Sequence, residues 1–323
     1  MFAVYADHGD SENPLAALRM GERPEPHVPE GWVRVKVTHA SLNRHDIFTL
    51  QGVTAHPQGL TFPIILGSDG AGLLDDGAPV VIYPVLGSDD WRDDETLDPH
   101  WHIVSEFVPG TFADYLAVPK RNAVPVPEGL SLLDASVLGT AWLTAYRALF
   151  TKSGLRPGET LLVQGASGGM STALIQLGRA AGFEVWVTSR TAEGRELAER
   201  IGASRSFDSN ERLPRKVQAV VDNVGPASWE HTFASVARGG TIVVTGGTTG
   251  FEVPLHIIPV LLDQITVCGS IMGTLQDMKN MMKLMAASGI KPEIGQILPM
   301  EQAEEGFRSM WLGKTSGKVV FVR

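Results

Sequence analysis

Thr160-Leu-Leu-Val-Gln-Gly165-Ala-Ser167-Gly168-Gly169-Met170-Ser171 runs a short apolar strand into a glycine-rich turn, and the turn opens a helix. Glycines let a backbone approach a pyrophosphate closely, and a helix N-terminus offers unsatisfied N–H groups and the positive end of its dipole. Met170, Ala173, Leu174, Leu177 and Ala181 recur at the spacing of a one-faced helix. Gly182 closes that helix, and Glu184-Val-Trp-Val-Thr188 reads as the next strand. The unit has the length of one strand–helix–strand repeat of a dinucleotide-binding sheet. Its alternative is a glycine turn in an α/β domain that holds no ligand, and Ser171 stands where a third glycine often falls.

The end of the second strand bears on the cofactor. A carboxylate there would grip the ribose 2′-hydroxyl of NAD; this chain has Ser189 and Arg190, a hydroxyl donor and a fixed cation suited to a 2′-phosphate. The expectation is NADP(H).

With 323 residues, the chain predicts more than one core. A composition 43% hydrophobic and 20% charged is ordinary for a soluble globular protein. A net charge of −9 argues against nucleic acid or an anionic membrane as the main partner. The lone cysteine, Cys268, excludes an intramolecular disulfide and suits a reducing cytosol. No signal peptide is evident, and no apolar run reaches the ~18 residues of a membrane span, so the expected location is cytoplasmic.

Residues 1–125 carry short strand signals, including Trp32–Thr38, Ala78–Tyr83 and Ala113–Val118, separated by Gly, Pro and Asp turns. Leu132–Leu138 and Ala141–Phe150 read as helices. Beyond them strand and helix alternate through Ala219–Asp222, Gly240–Thr245 and Ile265–Gly269, which predicts a parallel sheet covered on both faces. Leu275–Ser288 is a methionine-rich amphipathic helix, read as packing rather than a binding surface. Gly317–Val322 reads as a closing strand. The acidic stretch Asp89–His102, with two histidines, is either a solvated loop fastened by Trp91 and Trp101 or a metal loop; its irregular spacing favours the first.

Several elements together resemble the medium-chain dehydrogenase/reductase superfamily over essentially the whole chain. They are Ala40-Ser-Leu-Asn43-Arg-His-Asp46, Leu66-Gly-Ser-Asp-Gly-Ala-Gly72, Gly110-Thr-Phe-Ala-Asp-Tyr-Leu-Ala-Val-Pro119, Leu143-Thr-Ala-Tyr-Arg-Ala-Leu149 and the 165–169 turn. The subgroup it resembles is the zinc-independent, zeta-crystallin-like quinone oxidoreductases. The resemblance implies a doubly wound Rossmann sheet inserted into a β-rich GroES-like catalytic domain. The expected parts are residues 1–125, a nucleotide-binding domain at 126–270 and a C-terminal return at 271–323.

In the family's zinc enzymes three positions ligate the catalytic metal; here they match Asn43, Ser68 and Thr140, and a catalytic zinc takes three nitrogen, sulfur or carboxylate ligands. The lobe that would hold a structural zinc matches residues 88–105, which contain no cysteine. The expectation is hydride chemistry without a metal, on an acceptor whose own conjugation disperses charge, in a dry pocket with one or two hydrogen bonds to the carbonyl.

Asn43 is the catalytic candidate, placed by the resemblance near the nicotinamide; its alternative is a turn amide. Asp46 would hold the Asn43 turn or a neighbouring arginine, and His45 would face solvent. The resemblance further implies that Ser167, Gly168, Gly169 and Met170 meet the pyrophosphate and that Arg179 reaches the 2′-phosphate. Asn223 should approach the adenosine end or the pyrophosphate, and Gly246-Gly247-Thr248 should end the next strand at the carboxyl edge of the sheet, where ligands bind. Ser270, Ile271 and Met272 should contact the nicotinamide, and Thr144 should pack on it or bond one turn back. Phe48, Trp142 and Met272 are candidates for a substrate wall, their alternative being ordinary core.

The expected activity is NADPH-dependent reduction of a quinone or α,β-unsaturated carbonyl. The alternatives are an enoyl-thioester reductase of the same superfamily, or a non-enzymatic NADPH-binding sensor or structural protein. A homodimer is expected through the nucleotide-binding domains, with apolar, proline-bearing Phe251–Leu262 at an edge position.

Overall fold

The computed structural model describes residues 1–54 and 58–323. Contacts divide them into two units. The first comprises 1–141, 274–286 and 294–323; the second comprises 142–273 and 287–293. The expected parts were 1–125, 126–270 and 271–323. By contacts, the first boundary falls after 141 because the helix Leu132–Ala135 packs on strands of the first unit.

The first unit is built from short strands, numbered in chain order: β1 (Phe2–Ala6), β2 (Leu18–Glu22), β3 (Trp32–Ser41), β4 (Ile64–Ile65), β5 (Asp69–Leu74), β6 (Pro79–Ile82), β7 (Val85–Leu86), β8 (His102–Ile103), β9 (Tyr115–Pro119) and β10 (Ala123–Pro125). Its helices so far are α1 (Arg44–Leu50) and α2 (Leu132–Ala135). Alternation in β3 buries Val35 and Val37 and leaves Lys36 exposed.

The second unit holds α3 (Leu143–Arg147), β11 (Thr160–Val163), α4 (Gly169–Ala180), β12 (Glu184–Ser189), α5 (Ala192–Ile201), β13 (Arg205–Asp208), β14 (Val217–Asp222), α6 (Pro226–Ser235), β15 (Val236–Val244), α7 (Ile257–Leu262) and β16 (Thr266–Gly269). The chain then forms α8 (Leu275–Ser288), and the first unit is completed by β17 (Ile294–Pro299), α9 (Ala303–Trp311) and β18 (Lys318–Val322).

The main sheet of the first unit runs β10-β6-β5-β3-β18-β17, with β9 also on β3. The returning strand β18 lies antiparallel to β3, pairing Val320 with Ser41 and Phe321 with Ala40. Phe112, Phe307 and Phe321 meet in the core, with ring centroids 5.1–6.3 Å apart.

The second unit is a six-stranded sheet, β13-β12-β11-β14-β15-β16, and every pairing in it is parallel. This is the doubly wound order that the alternating pattern implied. All of β11 is buried, as helices on both faces require. Leu162, Trp186, Val220 and Ile242 from four strands pack with Trp229 and Phe233 of α6.

Two local expectations change. Residues 138–142 and 148–152 are π-turns flanking α3, where a continuous helix was expected from 141 to 150. Gly139 packs tightly there: a β-carbon on it would lie 2.9 Å from Asp69 Oδ1 and 3.0 Å from the Ile82 carbonyl. Phe251–Leu262 is not the sheet edge. It runs as irregular chain into the short helix α7, and β16 is the edge strand. Among the described residues, no helix is long and apolar enough to cross a membrane.

Candidate active site

Asn43 ends the strand-like chain after β3 and caps α1 with extended backbone. Asp46, three residues on, accepts the Asn43 N–H through Oδ2 and the Gly67 N–H through Oδ1, each at 2.8 Å. One buried carboxylate thus ties two loops together, as expected for the Asn43 turn. Gly67 has φ of +95°, and a β-carbon there would lie 2.5 Å from the Phe112 ring and the Thr111 hydroxyl. Burial pushes the Asp46 pKa up to about 6, against the opposing pull of His45 and of the two N–H donors. Between its ordinary 3.8 and about 6 the folded chain holds a proton that the unfolded chain has released. Stability from this group is therefore complete below pH 3.8 and lost as pH rises through 6. Asp46→Asn, fixed neutral, should remove about 3 kcal/mol of this pH dependence, read by denaturation from pH 4 to 7.

Beneath Asn43 lies a cluster assembled from four parts of the chain. Lys318, at the start of β18, donates to Asn43 Oδ1 at 2.6 Å, to the Leu42 carbonyl at 2.9 Å and to Asp69 Oδ2 at 3.2 Å. Asp69 Oδ2 also accepts from Asn43 Nδ2 and Ser41 Oγ, both at 2.9 Å. The Lys318 and Asp69 side chains are 3% and 0% exposed. Burial holds the Lys318 pKa below its ordinary value against the pull of Asp69. Asn43 Nδ2 makes two longer contacts, to the Ser41 carbonyl at 3.3 Å and Ser68 Oγ at 3.4 Å. Ser68 Oγ lies 3.0 Å from Thr140 Oγ1.

The three positions matched to metal ligands therefore do converge, as an amide and two hydroxyls bonded in series. Among the described residues, no three His, Cys, Asp or Glu side chains are grouped to hold a metal ion. In the acidic loop, Asp98 accepts from Ser88 and from the His100 N–H, while Trp91 donates its indole N–H to the Asp94 carbonyl. That loop is stapled by its own carboxylates.

His45 does not face solvent as expected. It is 26% exposed, and its Nε2 lies 3.1 Å from Oε1 of buried Glu106, whose Oε2 accepts the Ile103 N–H. Burial opposes charging of His45, but the Glu106 hydrogen bond and charge outweigh it and raise its pKa. Arg44 escaped the sequence analysis although it follows Asn43 directly. Its guanidinium lies 5.9 Å from the Trp311 ring and 3.5 Å from the Met310 carbonyl, its Nε is buried without a hydrogen-bond partner, and it pairs with no carboxylate among the described residues. Such a cation is suited to an anion. Phe48 is half-buried on α1.

In the second unit, Gly168 caps α4 without a side-chain bond, so the first N–H groups at Gly169 and Met170, beside Ser167, are open to an anion. Ser189 ends β12, and the Thr191 hydroxyl caps α5 by accepting the Gly194 N–H at 3.1 Å. Arg190 is exposed and enters no ion pair or hydrogen bond among the described residues. A carboxylate, Asp208, is the register partner of Ser189 on β13, but Arg195 pairs with it and also donates to the Ser189 carbonyl.

Arg179 requires a correction. It lies in the last turn of α4, its stem over Gly202, at the opposite end of that helix from the glycine turn. A helix antiparallel to its strands carries its final turn to the far edge of the sheet, so Arg179 is not brought to Ser189 and Arg190.

The Thr248 N–H donates to the Asn223 carbonyl at 3.2 Å, which brings Asn223 beside Gly246 and Gly247 at the carboxyl ends of β14 and β15. Thr144 Oγ1 lies 4.0 Å from Met272 Sδ, so those two candidates also meet. Ser270 Oγ is buried without a hydrogen-bond partner, Ile271 is 48% exposed, and Met272 has φ of +48°. Trp142 is fully buried, so it does not serve as a substrate wall in this structure.

Residues 29–128 match the family model for the alcohol dehydrogenase GroES-like domain, and residues 169–287 match that for zinc-binding dehydrogenases. A solved NAD-dependent alcohol dehydrogenase is 30% identical, with TM-score 0.92 and full coverage of both chains. An alcohol dehydrogenase of Geobacillus stearothermophilus is 28% identical over 94% of this chain and 95% of its own. An acryloyl-coenzyme A reductase of Sulfurisphaera tokodaii is 26% identical over 95% of this chain and 97% of its own.

Proposed function

The chain belongs to the medium-chain dehydrogenase/reductase superfamily and is an oxidoreductase, and within that family we propose an NADPH-dependent reductase of quinones or activated carbon–carbon double bonds that works without zinc. One observation carries this reading. Where the family's zinc enzymes gather metal ligands, this chain gathers Asn43, Ser68 and Thr140, hydrogen-bonded to one another. An amide and two hydroxyls are a poor set for zinc. They can stabilise an oxygen that gains charge, provided conjugation already disperses that charge.

The second unit has features that fit a dinucleotide phosphate: the uncapped N-terminus of α4 for the pyrophosphate, Arg190 with Ser189 for a 2′-phosphate, and the orphaned Ser270 hydroxyl near Met272. When bound, NADPH supplies the hydride. Asn43 then donates to the acceptor carbonyl, whose oxygen takes the displaced π pair, and the final proton comes from water. A neutral amide is too weak to hold an unconjugated alkoxide at neutral pH. The acryloyl-coenzyme A reductase relative supports a second reading, in which the acceptor is an enoyl thioester.

The test is NADPH oxidation with benzoquinones, alkenals and enoyl thioesters, run with a chelator, beside NADP-dependent oxidation of simple alcohols. Turnover of an acceptor that survives chelation supports the proposal. Robust alcohol oxidation that needs stoichiometric zinc would refute it.

Cofactor choice is tested separately. Arg190→Ala should weaken NADPH binding by about 1–3 kcal/mol, the scale of hydrogen bonds to a charged group, and leave NADH nearly unchanged. Equal affinity of the unaltered protein for the two cofactors would sink the preference for NADPH.

A homodimer is also proposed. Phe251, Ile257, Ile258, Leu261 and Leu262 are each 64–71% exposed, beside the unpaired edge of β16. A patch of this kind on an open edge is a liability unless covered. Sedimentation at micromolar concentration should give twice the chain mass of 34.7 kDa, and Ile258→Asp with Leu261→Asp should shift it to monomer.

A further inference from the structure

Lys318 is the least expected member of the Asn43 cluster. A lysine is rarely buried unless paired, and its pairing with Asp69 would by itself need only one contact. Lys318 makes three, and the shortest, at 2.6 Å, is to Asn43 Oδ1. The other end of the same amide donates to Asp69 at 2.9 Å. The amide is thus held between an ammonium group and a carboxylate. A flipped amide would set its NH₂ against the ammonium and its oxygen against the carboxylate, two repulsions in place of two charge-assisted bonds.

The clamp decides which Asn43 hydrogen remains to be used. One is committed to Asp69. The other is divided between the Ser41 carbonyl at 3.3 Å and Ser68 Oγ at 3.4 Å, both near the limit of a hydrogen bond. A carbonyl oxygen arriving at Asn43 competes only with those two. The cation on Oδ1 also polarises the amide and makes its N–H groups stronger donors, as in any hydrogen-bond chain.

We propose that Lys318, with Asp69, is the positioning residue that fixes the Asn43 amide in its donating orientation and strengthens it toward the acceptor carbonyl. The proposal rests on the reductase reading for its kinetic consequence, and on geometry alone for its structural one. Lys318 touches no reacting atom; it acts through Asn43.

The test has two arms. In the first, side-chain amide resonances of Asn43 are assigned in the unaltered protein. The two protons should be widely separated and exchange slowly with deuterium, more slowly than those of exposed asparagines. A degenerate, fast-exchanging pair would overturn the proposal, whatever the enzyme reduces.

In the second arm, Lys318→Met is combined with Asp69→Leu, which removes both charges together so that neither is left buried alone. With an acceptor that the unaltered protein reduces, kcat should fall by about 10- to 100-fold, the scale of losing one preorganised donor, while KM for NADPH stays unchanged. Adding Asn43→Ala to that pair should lower kcat by less than about threefold more, because the residues act as one unit. A folded pair variant with unaltered kcat would overturn the proposal. So would a further full-sized loss on adding Asn43→Ala. Absence of any reducible acceptor would instead count against the reductase reading and leave the resonance arm to decide.

Discussion

Asp69→Ala is expected to destabilise the protein by about 3–5 kcal/mol, the range for removing one partner of a buried ion pair. Asp69 Oδ2 accepts from Lys318, Asn43 and Ser41, and the pair it forms with Lys318 is almost wholly out of water. Deleting the carboxylate leaves the ammonium with a neutral amide oxygen and a backbone carbonyl as its remaining partners. The cost comes from the stranded charge more than from the lost attraction. Asp69→Leu with Lys318→Met should therefore recover most of the loss. Chemical denaturation checks both, read as a shift in midpoint at constant slope. A single variant within about 1 kcal/mol of the unaltered protein would mean that Lys318 finds water in solution.

Asn43→Ala should have the largest effect on rate, a fall in kcat of about 10- to 100-fold with quinone or enone acceptors. NADPH affinity should change much less, since the proposed phosphate contacts of Ser189, Arg190 and the α4 terminus belong to the other unit. Folding should weaken as well, by about 1–2 kcal/mol, because Lys318 loses its shortest hydrogen bond. The backbone bond from Asn43 to Asp46 survives the substitution, so α1 keeps its start. Steady-state kinetics beside a cofactor titration separate the two effects. Unchanged kcat in a folded variant would remove Asn43 from the catalytic role.

Local chemistry was legible in the sequence wherever it depends on neighbours along the chain. The strand, turn and helix at 160–180 follow from side-chain periodicity and glycine placement, and the parallel sheet follows from repeating that unit. Asp46 was expected to hold the Asn43 turn or a neighbouring arginine; it holds the turn, and a carboxylate reaching back three residues to the start of its helix is a local device. Arg179 failed for a physical reason: motif matching fixes a position along a helix, whereas a helix twelve residues long carries its last turn to the far edge of the sheet. His45 failed because its partner, Glu106, lies 61 residues away.

The sequence by itself determined the dinucleotide-binding sheet, its superfamily and the absence of cysteine or histidine at three ligand positions. Those properties are written in adjacent residues and in their period. Only the tertiary structure decided what fills that place. Lys318 and Asn43 are separated by 275 residues, and they meet because β18 pairs with β3 in one register, Val320 opposite Ser41. A shift of one residue would turn alternate side chains of β18 to the other face and take Lys318 out of the cluster. No local pattern encodes that register; it is set by which faces of two distant strands bury their apolar side chains against the same core.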